Sequence, residues 1–207
     1  MDCMKSATIN ITISELKKNY HQVEALKSLN LVFTSGKLNL ITGDNGSGKT
    51  TMLKCIMNHV RYKGKIIKRN YRIGYAPENY VMPGFMSIHE FLLAIGRIKH
   101  LYKGYLDEEL DLYLDMFELK DKLNTPIKSL SNGMKQKVNI IQALLNHPKI
   151  IIFDEPLIGL DFNSQKRFIK SIIDLSKDKL VIISTHHPEK FNTKKKSIYR
   201  FNQGEIE

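Results

Sequence analysis

The most informative stretch of the sequence is the run Gly43–Thr51. It fits the pattern G-x-x-x-x-G-K-[ST], in which backbone N–H groups, a lysine and a hydroxyl surround phosphate groups. Glycines let the backbone turn tightly beside a phosphate, and the N-terminus of the following helix attracts an anion. The residues predicted to hold a nucleotide are Gly43, Asp44, Asn45, Gly46, Ser47, Gly48, Lys49, Thr50 and Thr51, with Thr50 also a Mg²⁺ ligand and Lys49 reaching the β- and γ-phosphates. A glycine-rich turn before an ordinary helix is the alternative.

Two acids and a histidine form a second set of candidates. Asp154 and Glu155 follow the apolar run Lys149–Phe153, and His186 follows the apolar run Leu180–Thr185. In open parallel sheets ligands bind at the carboxyl ends of the strands, so this placement predicts that the three side chains face the phosphates. Asp154 would hold Mg²⁺, Glu155 would accept a proton from water attacking the γ-phosphate, and His186 would hold that water and the phosphate. The alternatives are an Asp-Glu capping pair and an ordinary core histidine.

The elements around these residues predict an α/β fold. Leu38–Thr42 is a short buried strand before the phosphate loop, and Thr50–Met57 is a helix after it. The alternating segment Thr8–Ile13 and the extended segment Ala25–Phe33 predict strands near the N-terminus. Tyr20 lies between them, where its ring would either stack on an adenine or cover the edge of a sheet. The residues alone leave both roles open.

Helical patterns then interrupt the strands. Ser87 and Glu90 form a capping box, and Asp107 is predicted to cap a second helix. A third helix is expected to begin at Ser131. We therefore predict one domain over residues 1–207, with a core of residues 1–82 and 126–207 and an inserted α-helical lobe of residues 83–125. The expected core has a mainly parallel sheet and an N-terminal antiparallel β subdomain.

Composition limits the class of protein. With 207 residues, 42% of them hydrophobic, the chain can bury a substantial core. Cys3 and Cys55 are too far apart in sequence to match a metal or redox motif, which suits a reducing compartment. The longest apolar run, Phe91–Ile95, is far shorter than the roughly 20 residues that span a bilayer. The start, Met1–Lys5, lacks the apolar core of a signal peptide, so we expect a protein that is neither secreted nor membrane-spanning.

The formal net charge of +11 has two interpretations. It indicates either a nucleic-acid or anionic-membrane partner, or the solvated surface of a lysine-rich protein. The lysines are dispersed, and the only tight run is Lys194–Lys196. This pattern favours the interpretation as a solvated surface, and proximity to a membrane is a modest additional reason for the positive charge.

Taken together, the motifs resemble the ATP-binding subunit of an ABC transporter along essentially the full chain. Gly43–Thr51 is similar to the Walker A motif, Ile150–Pro156 to Walker B, Leu130–Met134 to the family signature, and Gly159–Asp161 to the D-loop. The resemblance implies a P-loop NTPase core, ATP and Mg²⁺ as cofactors, His186 as the switch histidine and Tyr20 as the adenine-stacking aromatic. It adds Ser131, Asn132, Gly133 and Asp161 to the predicted nucleotide contacts.

Two positions depart from the family pattern. The signature has Asn132 and Met134 where the family usually has glycine and glutamine, but it keeps Ser131 and Gly133. Glu78 stands where the family commonly has a glutamine, and a carboxylate cannot donate as an amide does. Glu78 is therefore only a candidate Mg²⁺ ligand. Similar substitutions occur among small ATPase subunits of export systems for peptides, antibiotics or drugs.

The resemblance also implies partners. A head-to-tail homodimer would form on ATP binding, with each nucleotide between the Walker A loop of one copy and the signature of the other. A separate transmembrane permease would anchor the protein peripherally on the cytoplasmic face of the cell membrane, and no nucleic-acid partner is expected. The alternative is a soluble ABC ATPase acting on ribosomes or nucleic acid; such proteins usually carry two cassettes or a long coiled coil. A relative that only binds ATP is disfavoured by Glu155 and His186.

Overall fold

A computed structural model describes residues 8–207, apart from the Lys103 side chain. The predictions about Met1–Lys5 and Cys3 lie outside the described residues. Nine strands and five α-helices occur in the described part: β1 (Asn10–Tyr20), β2 (Val23–Thr34), β3 (Leu38–Gly43), α1 (Lys49–Ile56), β4 (Lys63–Lys68), β5 (Ile73–Ala76), α2 (Ile88–Ile98), α3 (Lys103–Met116), α4 (Asn132–Leu144), β6 (Ile150–Asp154), α5 (Phe162–Leu175), β7 (Leu180–Ser184), β8 (Lys196–Asn202) and β9 (Glu205–Ile206).

The chain forms two compact units. The first unit contains the described residues up to Tyr71 together with Ile172–Glu207, and the second contains Arg72–Ser171. The predicted fold class is confirmed, with parallel strands, an antiparallel sheet near the N-terminus and a run of helices in the middle of the chain. The finer boundaries predicted for the helical lobe, residues 83–125, stay a prediction.

The first unit holds an antiparallel sheet and a mostly parallel one. Strand β1 pairs with β2 on one side and β4 on the other. Ile11 and Ile13 alternate into the core as the period-2 pattern predicts, and an irregularity before Leu16 shifts the alternation so that Leu16 is buried too. In the parallel sheet β3 lies between β7 and β8, and the short β9 closes the edge antiparallel to β8. Residues 38–42 of β3 are buried, as expected for a strand with neighbours on both sides.

The second unit holds the parallel pair β5 and β6 and the helices α2, α3 and α4. Every residue of β6 is buried. Helix α4 is buried over most of its circumference, because Gln136, Lys137 and Asn139 are inside together with its apolar residues. Within residues 8–207, no helix combines the length and the apolar character needed to cross a bilayer.

The helix caps test local sequence reasoning directly. The capping box of Ser87 and Glu90 is confirmed at the start of α2, and the Ser131 side chain caps α4 by accepting from the Met134 N–H at 3.2 Å. The predicted cap at Asp107 is wrong. Helix α3 begins at Lys103, after an N-cap position at Tyr102, so Asp107 lies inside its second turn and is exposed. The helix extends over Gly104 despite the low helix propensity of glycine.

A polar network joins α3 to the end of α4. Glu109 is buried on α3, and its carboxylate accepts from the Asn146 backbone N–H at 2.8 Å and contacts His147 Nε2 at 2.8 Å. The Asn146 side chain donates to the Lys99 carbonyl and accepts from Arg72, and the Lys99 ammonium donates to the Gln142 carbonyl. These bonds tie the end of α2, α3 and the last turn of α4 together within the second unit.

Lys99 makes the stability of this network depend on pH. Burial lowers the pKa of Lys99 from 10.5 to about 8, although the nearby Glu109 carboxylate opposes the shift. The unfolded chain therefore binds more protons than the folded chain between these values, so stability rises as the pH increases from about 8 to about 10.5. We expect Lys99→Met to flatten this rise in urea unfolding curves, and the exposed Lys170→Met variant to keep it. An unchanged pH slope in Lys99→Met would contradict the assignment.

Candidate functional site

The phosphate loop connects β3 to α1 in the first unit. Gly48 occupies the N-cap position of α1 with φ 108, and no side chain caps the helix. A Cβ at Gly48 would lie 2.8 Å from the Ala25 carbonyl oxygen, so only glycine fits where the loop crosses β2. The uncapped N–H groups at the start of α1 are thus available to an anion.

The polar side chains of the loop also suit a phosphate. Lys49 is buried, and its ammonium donates to the carbonyl oxygens of Gly43 at 2.6 Å and Asp44 at 3.0 Å. The hydroxyl of Ser47 is buried and has no hydrogen-bond partner among the described residues. A buried hydroxyl without a partner costs free energy, and an anion beside it would supply the missing acceptor. The loop therefore fits a triphosphate.

Two further predicted residues lie in the same unit. His186 follows β7, where the Thr185 N–H donates to the Ile41 carbonyl at 2.9 Å and so joins the tip of β7 to β3. His186 Nε2 lies 3.1 Å from Asn45 Oδ1, and both side chains are exposed. The structure thus brings the histidine to the phosphate loop, as the strand-tip argument predicts.

Tyr20 lies at the end of β1, paired with Val23 of β2. Since β2 crosses the phosphate loop two residues later, at Ala25 and Leu26, Tyr20 is at the strand end that faces the loop. Tyr20 is 39% exposed, and the Lys18 ammonium lies 4.5 Å from the centroid of its ring. A ring that is partly open and carries a cation on one side can stack a base on its other side. Its role as the stacking residue stays a prediction.

The acids of the predicted site lie in the second unit. Asp154 ends β6 and Glu155 follows it, and both are buried. The backbone φ angle of Glu155 is 48°, in the left-handed region. A residue with a side chain adopts this conformation at an energetic cost, and residues strained in this way are concentrated at functional sites. Glu78, Asn132 and Glu155 line one cleft of about 630 Å³. Three predicted residues thus come together from different parts of the chain.

The electrostatics of this region are acidic. Burial raises the pKa of the Tyr75 hydroxyl, and the carboxylates of Asp154 and Glu78 raise it further. In the part of the chain that the structure describes, no three His, Cys, Asp or Glu side chains form a group that could hold a metal ion by themselves. Mg²⁺ is usually held by one or two protein oxygens together with substrate phosphates and water, which does not require such a group. The roles of Thr50 and of Asp154 as Mg²⁺ ligands stay predictions.

The remaining predicted contacts surround the start of α4. Ser131 and Asn132 are exposed, and Gly133 packs beside the Gly159 carbonyl oxygen. Asp161 caps α5 by accepting from the Ser164 N–H at 2.9 Å and the Ser164 hydroxyl at 2.6 Å, and these bonds lower the pKa of Asp161 to about 2, with a smaller contribution from Lys137. Its predicted nucleotide contact stays a prediction beside this capping role.

Sequence reasoning missed the polar residues inside α4. Lys137 is buried, and its ammonium lies 3.6 Å from the Asp161 carboxylate; the Gln136 side chain donates to the Pro156 carbonyl at 3.1 Å, next to Glu155. These contacts connect the signature helix to the segment after β6. The sequence does contain one signal for buried polar side chains, because polar residues are mixed with apolar ones along this helix. The residues of the phosphate loop are predicted to contact the same nucleotide as the residues around Glu155 and the start of α4, and this stays a prediction.

Comparison with known proteins gives a consistent result. A model of the ABC transporter family matches residues 26–158. A putative ABC transporter ATP-binding protein of Mycoplasma pneumoniae is 29% identical over 97% of this chain and 66% of its own length. The uncharacterized ABC transporter ATP-binding protein YxlF of Bacillus subtilis is 31% identical over 85% of this chain and 62% of its own length. The chain thus spans just under two thirds of these curated relatives.

Among solved structures, the dimeric structure of MJ0796, a bacterial ABC transporter cassette, is similar over 95% of this chain and 96% of that one. The TM-score is 0.86 and the sequence identity is 25%. The likeness extends over both compact units, because so little of the chain is left out.

Proposed function

The chain belongs to the ABC transporter family and has its ATPase fold, and on that premise we propose that it hydrolyses Mg²⁺-ATP to drive export through a separate membrane subunit. The observation that carries the proposal is the phosphate loop. There the buried Lys49 ammonium, the Ser47 hydroxyl without a partner and the uncapped start of α1 occur together. This combination suits the phosphate groups of a nucleoside triphosphate.

Each residue then has a task in the transfer of the γ-phosphoryl group to water. Lys49 would move its hydrogen bonds from the Gly43 and Asp44 carbonyls to oxygens of the β- and γ-phosphates. Glu155 would accept a proton from the water whose oxygen attacks the γ-phosphorus while the bond to the bridging oxygen breaks. His186, held by Asn45, would hydrogen-bond the γ-phosphate. Bound Mg²⁺ would neutralise charge on the phosphate oxygens, with Thr50 and Asp154 as its protein contacts and Glu78 as a candidate.

The exposed start of α4 supports the proposed homodimer. Ser131 caps the helix and is still exposed, and Asn132 is exposed beside it. A helix N-terminus at the surface can accept a phosphate that another copy of the chain holds in its own loop. The dimeric MJ0796 cassette has a similar fold, which supports the same arrangement here.

Exposed apolar side chains support a membrane partner. Val81 is 99% exposed and Phe85 is 82% exposed, and both lie in the segment between β5 and α2. Large apolar side chains that are exposed close together in the chain are typical of an interaction site. We propose that this segment meets the permease and places the protein on the cytoplasmic face of the membrane.

The docking proposal is tested with Phe85→Glu. A buried charge at an apolar contact is costly, so we expect the variant to leave the membrane fraction and lose transport while the purified protein keeps its basal ATPase. The matched control is Ile67→Glu, which places the same charge at an exposed apolar position on β4. The measurement is fractionation of cells of the native host into membrane and soluble fractions, together with a transport assay.

Two outcomes would contradict the transporter function. Phe85→Glu could fractionate with the membrane like the wild type. Alternatively, the wild-type protein could co-purify with ribosomes and be absent from the membrane fraction. That result would favour the alternative of a soluble ABC ATPase that acts on ribosomes or nucleic acid.

A further inference from the structure

A basic groove in the first unit has no task in the proposed function. It has a volume of about 460 Å³ and lies where the end of β1 meets the start of β4. Its lining carries four cationic side chains and a single acidic one, Glu24: the cations are Lys17, Lys18, Arg61 and Lys63, and Asn19 and Tyr62 complete the lining. None of the residues of the phosphate loop lines it.

The strand register places two of these cations directly opposite each other. Lys17 of β1 is paired with Lys63 of β4. Like charges in directly opposed positions of an antiparallel pair are destabilising. The two strands are in close contact here, because a Cβ at Gly64 would lie only 2.3 Å from the Glu15 carbonyl oxygen. The fold therefore places two like charges opposite each other, next to an irregularity in the register between Ser14 and Lys17.

The protein itself does little to neutralise the groove. Among residues 8–207, no carboxylate forms an ion pair with Lys17, Lys18, Arg61 or Lys63. Lys18 instead places its ammonium over the Tyr20 ring. Local rules of stability are broken mainly where function requires it. An anion bound beside Lys17 and Lys63 would attract both ammonium groups and so offset the repulsion between them.

We propose that this groove binds a small anion with two or more phosphate groups, at a site separate from the phosphate loop. Its volume lies within the range of small-ligand sites. Arg61 can bind a phosphate through two parallel hydrogen bonds, and the lysines act as point charges. A concave groove suits a compact polyphosphate better than a flat membrane surface or a duplex.

Isothermal titration with inorganic tripolyphosphate tests the site. The wild type should bind at two places, the phosphate loop and the groove. Lys17→Ala/Lys63→Ala should weaken groove binding by about tenfold or more while Mg²⁺-ATP binding stays unchanged. Lys49→Ala should retain groove binding, which separates this site from the proposed ATP site. The matched control, Lys194→Ala/Lys195→Ala, removes two exposed lysines elsewhere and should bind like the wild type.

Thermal unfolding gives a second measurement. Without phosphate and at low salt, Lys17→Ala/Lys63→Ala should be at least as stable as the wild type, because the repulsion between the strands is removed. Under saturating Mg²⁺-ATP, tripolyphosphate should raise the melting temperature of the wild type further, and that of the variant much less.

Three outcomes would overturn the proposal. The double variant could bind tripolyphosphate like the wild type, or the Lys194→Ala/Lys195→Ala control could lose as much affinity as the groove variant. Binding sensitive to Lys17 and Lys63 could also occur only with phosphatidylglycerol-containing vesicles or only with single-stranded RNA. The last result would assign the groove to a lipid surface or a nucleic acid instead of a small ligand.

Discussion

Replacement of Glu155 by glutamine is expected to lower ATP turnover by about 10²–10⁴-fold and to leave ATP binding intact. The substitution keeps the shape of the side chain but removes its ability to accept a proton. Glu155 is buried at the end of β6 with φ 48, so the backbone holds its carboxyl group in a defined place. The rate is measured by phosphate release, and the accumulated ATP-bound dimer by size-exclusion chromatography.

The control for this variant is Glu108→Gln, which makes the same change at an exposed position on α3. It should hydrolyse ATP at the wild-type rate. Wild-type turnover in Glu155→Gln would remove Glu155 from the role of general base. Loss of both turnover and binding would indicate that the substitution disturbs the segment after β6 rather than the proton transfer.

Lys49→Ala is expected to weaken nucleotide binding at least tenfold. Charge-assisted hydrogen bonds contribute about 1.5–3 kcal/mol, which corresponds to roughly 10–150-fold in affinity. The control is Lys54→Ala, an exposed lysine in the last turn of the same helix. Titration of a fluorescent ATP analogue measures both variants.

Lys49 also holds two carbonyl groups of the loop, so loss of binding in Lys49→Ala has a second possible cause. Lys49→Met retains most of the packing of the long side chain but loses the charge and both hydrogen bonds to the loop, so its melting temperature shows whether those bonds are needed to hold the loop folded. We expect it to bind as weakly as Lys49→Ala and to unfold at nearly the wild-type temperature. Unchanged affinity in both variants would mean that the loop holds something other than a triphosphate.

Local patterns in the sequence predicted the elements whose causes are local. The capping box at Ser87 and the cap at Ser131 depend on residues three positions apart, and both are confirmed. The strands β3 and β6 follow from short apolar runs. The predicted cap at Asp107 is wrong because α3 begins four residues earlier, at Lys103, and Leu106 of its first turn packs against Gly96 of α2, a contact that no local pattern reveals.

Contacts between distant residues were beyond the reach of sequence patterns. The pairing of Lys17 with Lys63 depends on a register that includes an irregularity between Ser14 and Lys17, and no period in the sequence reveals it. The contact between His186 and Asn45 joins residues 141 positions apart, although the strand-tip rule placed both at the correct end of the sheet. The hydrogen-bond network that joins Glu109 to the end of α4 was not predictable either, because no sequence pattern distinguishes its residues.

The central position of β3 has a consequence for the synthesis of the chain. The Asn39 side chain in β3 donates to the Val181 carbonyl in β7, 142 residues further along, and the other neighbour, β8, comes later still. At the usual rate of translation, the phosphate loop leaves the ribosome on the order of 10 s before the strands that flank it. During that interval a strand made for complete burial is without its neighbours and is open to chaperones or to aggregation. A nascent or prematurely terminated chain therefore contains the residues of the phosphate-loop motif, but it does not yet have a folded loop that can hold a nucleotide.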